Sequence, residues 1–395
     1  MGTMSHNAPS VSEPAVAPAS VGMDEERLQR ALDRFRRQQA RGAFPGGQLV
    51  VRRRGKLVTS LAIGFSRGWH TSEGPAVPVT DATLFTLFSA SKPVVAMAIA
   101  ILEERGLLRR DEPVAHCFPA FAENGKAEIT IDDVLTHRSG TLMPEFIATP
   151  ERWGDWDAVV AALTQARPRY RRGTLAYHPM EFGWILAEVV RRITGQTLPV
   201  FLKRELLEPA GLAALRFTAD AETAAQLART YWVGKRPCYV GDSDVSEQLE
   251  RCYNDPAILA ALIPGAHLVG NAALLARFFE LLVAGGCTPD GRRLLREETV
   301  RSYTRRATWG FDRSNRIPLA LGRGFVLPLP GPSIYGTWGT GGCFGHAGAF
   351  CTLGFADWHT GLSGAFVTNG NAGPFDLLAR SRPLVSLLRS ACRSS

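Results

Sequence analysis

The sequence lacks the features that assign proteins to membranes, secretion or structural zinc sites. No apolar run approaches the roughly 18 residues that a spanning helix needs. The start, "MGTMSHNAPSVSEPAVAPAS", has neither a basic segment nor a continuous apolar one, so it does not resemble a secretory signal. No C-x-x-C pair occurs among the seven cysteines, which argues against zinc ribbons and thioredoxin-type sites. We therefore expect a cytoplasmic protein with reduced thiols and no membrane partner.

Concentrated positive charge and metal-ligand spacing are also missing. The 395-residue chain has a net charge of +8, but its basic residues form short groups such as "VRRRGK" and "YRRG". A nucleic-acid-binding protein presents a basic stripe or patch, so we expect a solvated surface and no nucleic-acid partner. His116, His178 and His267 lack metal-ligand spacing. The sequence predicts no metal and no cofactor.

The order of predicted elements indicates an α/β (α+β) domain that is built from both ends of the chain. Residues 1–22, rich in Ala, Pro and Ser, are predicted to be a disordered tail. Strand patterns occur within residues 23–110 and 260–395, which are assigned to the α/β domain. Residues 111–259 are mostly helical in pattern and form the predicted helical domain. Its clearest helix is "YHPMEFGWILAEVVRRITG", which ends at Gly195.

The segment "LFSASKPVV" sets Ser89 and Lys92 three residues apart at the start of an apolar helix. Pro93 has no N–H and is tolerated only in a first helical turn, so the helix is predicted to begin near Ser89. Residues three apart share one side of that turn. Helix-terminal potential and burial both lower the pKa of a lysine, so a neutral Lys92 can accept the Ser89 proton. The Ser89 N–H can contribute to an oxyanion hole. Ser91 is the competing serine, but on a helix it diverges from Lys92.

Two later segments supply further candidates. Tyr177 precedes Pro179 at a helix entrance, where its hydroxyl can project into a cleft; the alternative is a packed aromatic. In "CFGHAGAF" the glycines permit close backbone approach to a ligand. There His346 can bind or polarise a substrate, and an N–H near Ala349 can be the second oxyanion donor. The alternative for this segment is a strand bulge with a structural histidine.

Other patterns compete with these candidates. "GFSRG", centred on Ser66, matches the G-x-S-x-G nucleophile elbow, but that elbow needs a helix after it and "WHTSEGPAVPVTD" is typical of a loop. "HTG" at His359 falls in a predicted hairpin turn, where Gly361 has a structural reason. His137 in "THRSG" is expected to support a loop near the domain junction.

Taken in order, "SASK", "AYHP" and "GHAG" resemble the three motifs of the serine β-lactamase and penicillin-binding-protein superfamily. "ITIDDVLTHRSGTL" and "GNAALLARFFELL" are similar to its class C-related branch, the family VIII esterases, and the resemblance extends over residues 24–390. It implies a β-lactamase-like fold, with an antiparallel sheet flanked by helices, a mostly helical domain, and the site between them. It also implies that Ser89 is the nucleophile, Lys92 its base partner and Tyr177 a second general acid/base.

Two departures from the superfamily pattern bear on the substrate. His346, Ala347 and Gly348 stand where lactamases have Lys-Thr-Gly, so the lysine that helps to hold a β-lactam carboxylate is absent. Pro179 replaces the asparagine of the Tyr-x-Asn motif, which contacts the substrate amide. Both departures argue against an efficient β-lactamase.

The sequence thus predicts a cofactor-free serine hydrolase that cleaves carboxylic esters through an acyl-Ser89 intermediate. The alternative is an acyltransferase that passes the acyl group to an alcohol, thiol or amine, and the sequence does not separate the two. A non-catalytic binding module is disfavoured because Ser89, Lys92 and Tyr177 are all present.

Expected partners are a small-molecule ester or acyl donor and, for a transferase, a second acceptor substrate. Whether Lys92 or Tyr177 is the acylation base stays open, as does the oligomeric state. "TYWVGKRPCYVGDSDVSEQLERCYNDP" has the loop character of a pocket wall or lid.

Overall fold

A nine-stranded antiparallel sheet organises the chain, in a computed structural model that describes residues 13–235, 239–240, 243–244, 250–373 and 375–392. The described strands are β1 (Gly46–Arg53), β2 (Lys56–Arg67), β3 (Val77–Pro78), β4 (Phe85–Thr86), β5 (Tyr231–Trp232), β6 (Tyr239–Val240), β7 (Ser243–Asp244), β8 (Val269–Gly270), β9 (Thr308–Asp312), β10 (Ile317–Leu321), β11 (Val326–Leu327), β12 (Cys343–Gly348), β13 (Thr352–Asp357), β14 (Leu362–Thr368) and β15 (Gly370–Asn371). The sheet order is β3-β2-β1-β14-β13-β12-β11-β10-β9.

The helices lie on both faces of this sheet and in the segment between its two halves. They are α1 (Glu25–Ala40), α2 (Lys92–Glu104), α3 (Val114–Cys117), α4 (Ile131–Leu135), α5 (Pro144–Ile147), α6 (Trp156–Gln165), α7 (Glu181–Thr194), α8 (Leu198–Leu202), α9 (Ala221–Gln226), α10 (Pro256–Ala260), α11 (Ala272–Val283), α12 (Glu297–Thr304) and α13 (Asp376–Ala391). None of the helices within the described ranges is both long enough and apolar enough to span a bilayer.

The sheet joins the two ends of the chain, as the sequence predicted. β1 pairs with β14 in antiparallel register, with Gly47 opposite Thr368. The turn between β1 and β2 is at Arg54-Gly55, where both residues have positive φ. α1 and α13 pack together on one face, and α11 packs on β1, β13 and β14 on the other. The division into an α/β domain and a helical domain, with its boundaries, stays a prediction.

The expected disordered tail is ordered over residues 13–22. The Glu13 carboxylate pairs with the Arg52 guanidinium at 2.7 Å, and the Val16 N–H donates to the Leu57 carbonyl at 2.9 Å. These contacts attach the segment to the first hairpin, which its Ala, Pro and Ser composition did not reveal. Residues 1–12 lie outside the described part of the chain, as do most of residues 236–249 in the predicted lid segment.

The central helix α2 is buried from Lys92 to Leu102 and packs against α7, α8 and α12. A helix that is apolar on every side belongs inside a protein, and its sequence "KPVVAMAIAIL" has that character. The helix begins at Lys92 rather than near Ser89, and residues 88–91 form a 3₁₀ turn before it. The prediction of the start was therefore three residues early, although Pro93 does lie in the first turn.

Candidate functional site

The Ser89 side chain stands on the 3₁₀ turn that leads into α2. The residue before it, Phe88, is buried and has φ of 49°, a left-handed conformation that is unusual for a bulky residue. Its ring lies between Phe350 and Tyr253, with centroid distances of 5.0 and 4.9 Å. Such backbone strain persists only where the surroundings enforce it, and it concentrates at functional sites. The packing of the Phe88 ring therefore holds the backbone conformation that sets the direction of the Ser89 side chain.

The buried Lys92 side chain reaches Ser89 and two backbone carbonyls. Its Nζ atom lies 3.2 Å from Ser89 Oγ, 2.7 Å from the Pro179 oxygen and 2.6 Å from the Gly265 oxygen. A carbonyl can only accept a hydrogen bond, so both carbonyls must receive an N–H from the amine. A neutral amine has two N–H bonds and one lone pair. Once both N–H bonds of the neutral amine are engaged, its lone pair is left to accept the Ser89 O–H, whereas in the ammonium form the third N–H donates to Ser89 Oγ.

Burial also lowers the pKa of Lys92, from an ordinary value of 10.5 to about 7, against an opposing effect of the Glu181 carboxylate. Near neutral pH a substantial fraction of this lysine is therefore the free amine. The shift follows from desolvation, since the low-dielectric interior disfavours an ammonium. A lysine held near pH 7 within reach of a serine hydroxyl is equipped to act as a general base.

Tyr177 completes the constellation from the loop before α7. The centre of its ring lies 4.9 Å from Lys92 Nζ, and interaction with the Ser89 side chain opposes the rise that burial causes in the pKa of its hydroxyl. Burial raises the pKa of Tyr177, so the hydroxyl stays protonated at neutral pH. The backbone N–H of Tyr177 donates to Asp312 Oδ1 at 2.7 Å, which anchors this loop to the end of β9. The structure thus brings Ser89, Lys92 and Tyr177 together.

Two buried histidines support Tyr177, and from the sequence one of them, His178, was considered only as a metal ligand. The His137 ring lies against the Tyr177 ring at a centroid distance of 4.5 Å. The backbone N–H of His178 donates to His137 Nδ1 at 3.0 Å, and Ser139 Oγ lies 2.8 Å from His178 Nε2. Burial lowers the pKa of both histidines, so both are neutral. His137 was expected to support a loop; the position of His178, next to Tyr177, was the available signal for its role.

A buried carboxylate, Glu181, was also missed. It lies in the first turn of α7 and accepts hydrogen bonds from the backbone N–H groups of Met143, at 2.8 Å, and Met180, at 3.3 Å. Burial raises its pKa, while those hydrogen bonds and the Lys92 amine oppose the rise. The Glu181 carboxylate favours the charged form of Lys92. It therefore partly offsets the lowering of the Lys92 pKa that burial causes.

The third predicted motif lies beside the nucleophile turn. A Cβ on Gly348, at the end of β12, would lie 2.4 Å from the Leu87 oxygen, so only glycine permits this approach. His346 is buried, and its Nδ1 lies 2.7 Å from the Ala347 carbonyl oxygen, which requires a proton on Nδ1. Burial lowers the pKa of His346 to about 3, so it is neutral. Ala349 follows directly, and the oxyanion role of its N–H stays a prediction.

The competing serines have other surroundings. Ser66 lies in β2, and its Oγ donates to the Val77 carbonyl at 3.1 Å. A short 3₁₀ turn (Thr71–Glu73) and then β3 follow, where an elbow would need an α-helix directly after the serine. Ser91 Oγ is buried and finds no hydrogen-bond partner among the residues with described positions. His359 lies in the β13–β14 turn, where its N–H donates to Asp357 Oδ1 at 3.0 Å.

Metal ligation has no visible basis in the site. Within the described ranges, no three or more His, Cys, Asp or Glu side chains form a group suited to a metal ion. The buried histidines instead bond to each other, to Ser139 or to backbone carbonyls. Proton transfer between Ser89, Lys92 and Tyr177 is the chemistry that this arrangement supports.

Comparison with known proteins places this geometry in context. Residues 32–387 match the family model described as Beta-lactamase. The chain is 30% identical over 357 residues to "Esterase/beta-lactamase LipL" of Mycobacterium tuberculosis, covering 84% of this chain and 78% of that protein. It is 28% identical to "Esterase EstB" of Burkholderia gladioli, covering 92% and 97%. A solved penicillin-binding protein homolog from Caulobacter crescentus aligns with a TM-score of 0.78 at 28% identity, covering 94% of this chain and 99% of that one.

Proposed function

Because this chain belongs to the beta-lactamase family and is an enzyme of the serine esterase or acyltransferase class, we propose that it hydrolyses carboxylic esters through an acyl-Ser89 intermediate. Its β-lactamase-like fold, predicted from the motifs, is confirmed by the structural similarity. The observation that carries the proposal is the position of buried Lys92 Nζ, 3.2 Å from Ser89 Oγ and within hydrogen-bond distance of two backbone carbonyl oxygens.

In acylation, Ser89 Oγ attacks the ester carbonyl carbon while its proton moves to Lys92 Nζ. The carbonyl π electrons move to oxygen, and the N–H groups of Ser89 and Ala349 are the proposed donors to that oxyanion. Collapse of the tetrahedral intermediate expels the alkoxide. Tyr177, whose side chain interacts with that of Ser89, gives the leaving group its proton and is reprotonated from Lys92. The product is an ester of Ser89.

Lys92 is better suited than Tyr177 to be the acylation base. At pH 7, a pKa of about 7 leaves about half of Lys92 neutral, against about one molecule in 3,000 for a lysine with a pKa of 10.5. The raised pKa of Tyr177 leaves almost no tyrosinate to compete. Since activity needs the free amine, kcat/KM should rise with pH and level off above about pH 7.

Deacylation reverses the proton path. Water attacks the acyl carbon, Lys92 and Tyr177 accept its proton between them, and Ser89 Oγ leaves with a proton. An alcohol, thiol or amine that reaches the same position would take the acyl group instead, which is the transferase alternative. A neutral His346 supplies no positive charge for a substrate carboxylate, and this favours uncharged esters over β-lactams.

The test is the intact mass of the protein after brief exposure to p-nitrophenyl butyrate. We expect a butyryl adduct or p-nitrophenol release in the wild type, and neither in Ser89→Ala. An adduct that clears only with added alcohol, thiol or amine would show the transferase instead. An adduct that survives Ser89→Ala would overturn the assignment of the nucleophile. The absence of a cofactor and the cytoplasmic location stay predictions.

A further inference from the structure

The hairpin of β9 and β10 presents aromatic side chains to solvent at one edge of the sheet. Trp309 is 69% exposed and Phe311 is 55% exposed. The two are separated by one residue in β9, so they point to the same side of the strand. β9 is the last strand of the sheet, and Pro318 lies opposite Phe311 on β10. Large aromatic side chains on an edge strand are a liability unless they meet another surface.

Basic side chains flank these aromatic rings at both ends of the strand. Arg305 and Arg306 precede β9, Arg313 and Arg316 follow it, and all four are exposed. Within the part of the chain that the structure describes, none of the four has a carboxylate partner. Residues 305–318 contain four arginines and one aspartate, which gives a net charge of +3.

The one acidic residue of the hairpin does not neutralise the arginines. Asp312 is buried, and its carboxylate accepts hydrogen bonds from the backbone N–H groups of Tyr177, Ser314 and Asn315. Its negative charge is therefore engaged by backbone N–H groups at the base of the hairpin. The solvent-facing side of the hairpin is aromatic and positively charged.

A second basic segment adjoins the hairpin. The Tyr170 hydroxyl lies 3.5 Å from the carbonyl oxygen of Arg313. On either side of Tyr170, Arg169 and Arg171 are exposed, and neither pairs with a carboxylate in the described ranges. The positive surface thus extends from the sheet edge onto the segment that leads to Tyr177.

We propose that this edge face binds the surface of an anionic lipid bilayer; the face comprises Trp309, Phe311, Arg169, Arg171, Arg305, Arg306, Arg313 and Arg316. Tryptophan and other amphipathic rings favour the depth of the lipid headgroups, where they exchange water for the acyl boundary. Arginines near an anionic surface each add attraction. Binding of this kind uses the surface of the folded protein and requires no spanning helix. The proposal therefore replaces the expectation of no membrane partner, which rested on the lack of an apolar run long enough to span a bilayer.

Two other occupants fit the edge face less well. Antiparallel pairing of β9 with a second copy would bring Arg305 and Arg306 of one chain opposite Arg313 and Arg316 of the other, and like charges across a strand pair repel. Nucleic-acid strands are held in grooves with stacking platforms. Trp309 and Phe311, at their high exposure, project outward instead of lining a groove.

The position of the face links it to the candidate active site. Asp312 ends β9 and anchors the backbone of Tyr177, so docking would hold the site close to the bilayer. This consequence rests on the proposed function and implies esters that are dissolved in, or presented at, a lipid surface. Lipid binding itself does not depend on catalysis, and it is tested on a variant without the nucleophile.

The experiment is flotation of full-length Ser89→Ala with phosphatidylcholine vesicles, with and without phosphatidylglycerol. We expect the protein to float with the anionic vesicles only, and less so as salt is raised. Trp309→Ala combined with Phe311→Ala should abolish flotation. Arg305→Gln combined with Arg306→Gln should weaken vesicle partitioning about 25-fold, at about fivefold for each arginine.

Trp338→Ala is the matched control, because Trp338 is 81% exposed but lies outside the edge face. Its flotation should equal that of the parent. The proposal is overturned if the parent does not float, or if Trp338→Ala loses as much binding as Trp309→Ala. It is also overturned if light scattering shows a dimer that Trp309→Ala dissociates, or if a single-stranded oligonucleotide binds more tightly than the vesicles. Ester turnover in solution tests the proposed function separately.

Discussion

Two buried lysines in this chain have similar surroundings, but only one of them is positioned to act as a general base. Lys92 Nζ contacts two carbonyl oxygens and the Ser89 hydroxyl. Lys126 Nζ donates to three carbonyl oxygens, those of Glu123 at 2.7 Å, Thr164 at 2.9 Å and Ala166. Both side chains are fully buried, and burial lowers the pKa of each. The third partner is the difference: a hydroxyl in one case and a carbonyl in the other.

That third partner decides the protonation state each position supports. Three carbonyls require three N–H donors, and only the charged ammonium of Lys126 has three. Two of its partners, Thr164 and Ala166, lie at the C-terminal end of α6, where a positive charge is favoured by the helix dipole. Lys92 needs only two N–H bonds and keeps a lone pair for Ser89. Burial alone therefore does not make a lysine a base; the acceptor count must also allow the neutral form.

The largest expected effect separates the two lysines by activity. Lys92→Met should lower kcat/KM for p-nitrophenyl butyrate by about 10²- to 10⁴-fold, because the positioned base is lost. Lys126→Met, the same change at the other position, should stay within about twofold of the wild type. Steady-state kinetics on both variants, with folding verified by circular dichroism, measures the contrast. Equal losses would show that Lys92 acts only through the fold.

The second expected effect is on the pH dependence of the free energy of unfolding. The folded-state pKa of Lys92 is depressed, so between about pH 7 and 10 the unfolded chain binds the proton and the folded chain does not. The free energy of unfolding should then rise with pH in the wild type relative to Lys92→Met, by about 1.4 kcal/mol per pH unit. Urea unfolding of both proteins at several pH values measures the difference. A constant difference would mean that Lys92 is charged in the folded protein.

The third effect is the structural cost of removing the other lysine. Lys126→Met leaves three carbonyl oxygens without their shared donor, and the free energy of unfolding should fall by about 3 kcal/mol at pH 7. Lys92→Met should cost less at that pH, because it leaves two carbonyl oxygens without a donor instead of three. Denaturant unfolding at pH 7 compares them. A larger loss for Lys92→Met would make Lys92 the structural lysine.

The contrast between the lysines also separates the features that the sequence could predict from those that it could not. The S-x-x-K spacing put Ser89 and Lys92 on one side of a turn, and the hairpin turn at His359 and the α7 helix were predicted from local sequence pattern. Such features can be predicted from a short segment because the residues that interact in them lie only a few positions apart.

The rest depends on contacts between distant parts of the chain. The Pro179 and Gly265 carbonyls that set the state of Lys92 lie 87 and 173 residues away in sequence. Glu181 and His178 reach the site only once α7 has packed against α2. The left-handed Phe88, which moved the helix start to Lys92, is imposed by rings from Phe350 and Tyr253. No periodicity in a single segment encodes such contacts.

The smallest expected effect tests the electrostatics of the base through two carboxylates. Glu181 favours the ammonium of Lys92, and Glu123 has the same influence on Lys126. Glu181→Gln removes a negative charge near Lys92 and keeps an amide oxygen for the Met143 N–H. The pKa of Lys92 should then fall further, so the rising limb of kcat/KM should move to lower pH, with less than about a tenfold rate gain at pH 6.

Glu123→Gln is the matched control, because its carboxylate influences only the lysine that we assign to structure. The rising limb of kcat/KM in that variant should coincide with that of the wild type. Two outcomes contradict the argument: an unmoved limb in Glu181→Gln, which would mean that Glu181 is already protonated, or an equal shift in both variants. The first follows if burial raises the pKa of Glu181 above that of Lys92, since a neutral carboxyl exerts no field on the amine. An unmoved limb would therefore assign the whole tuning of the base to burial and to its two carbonyl partners.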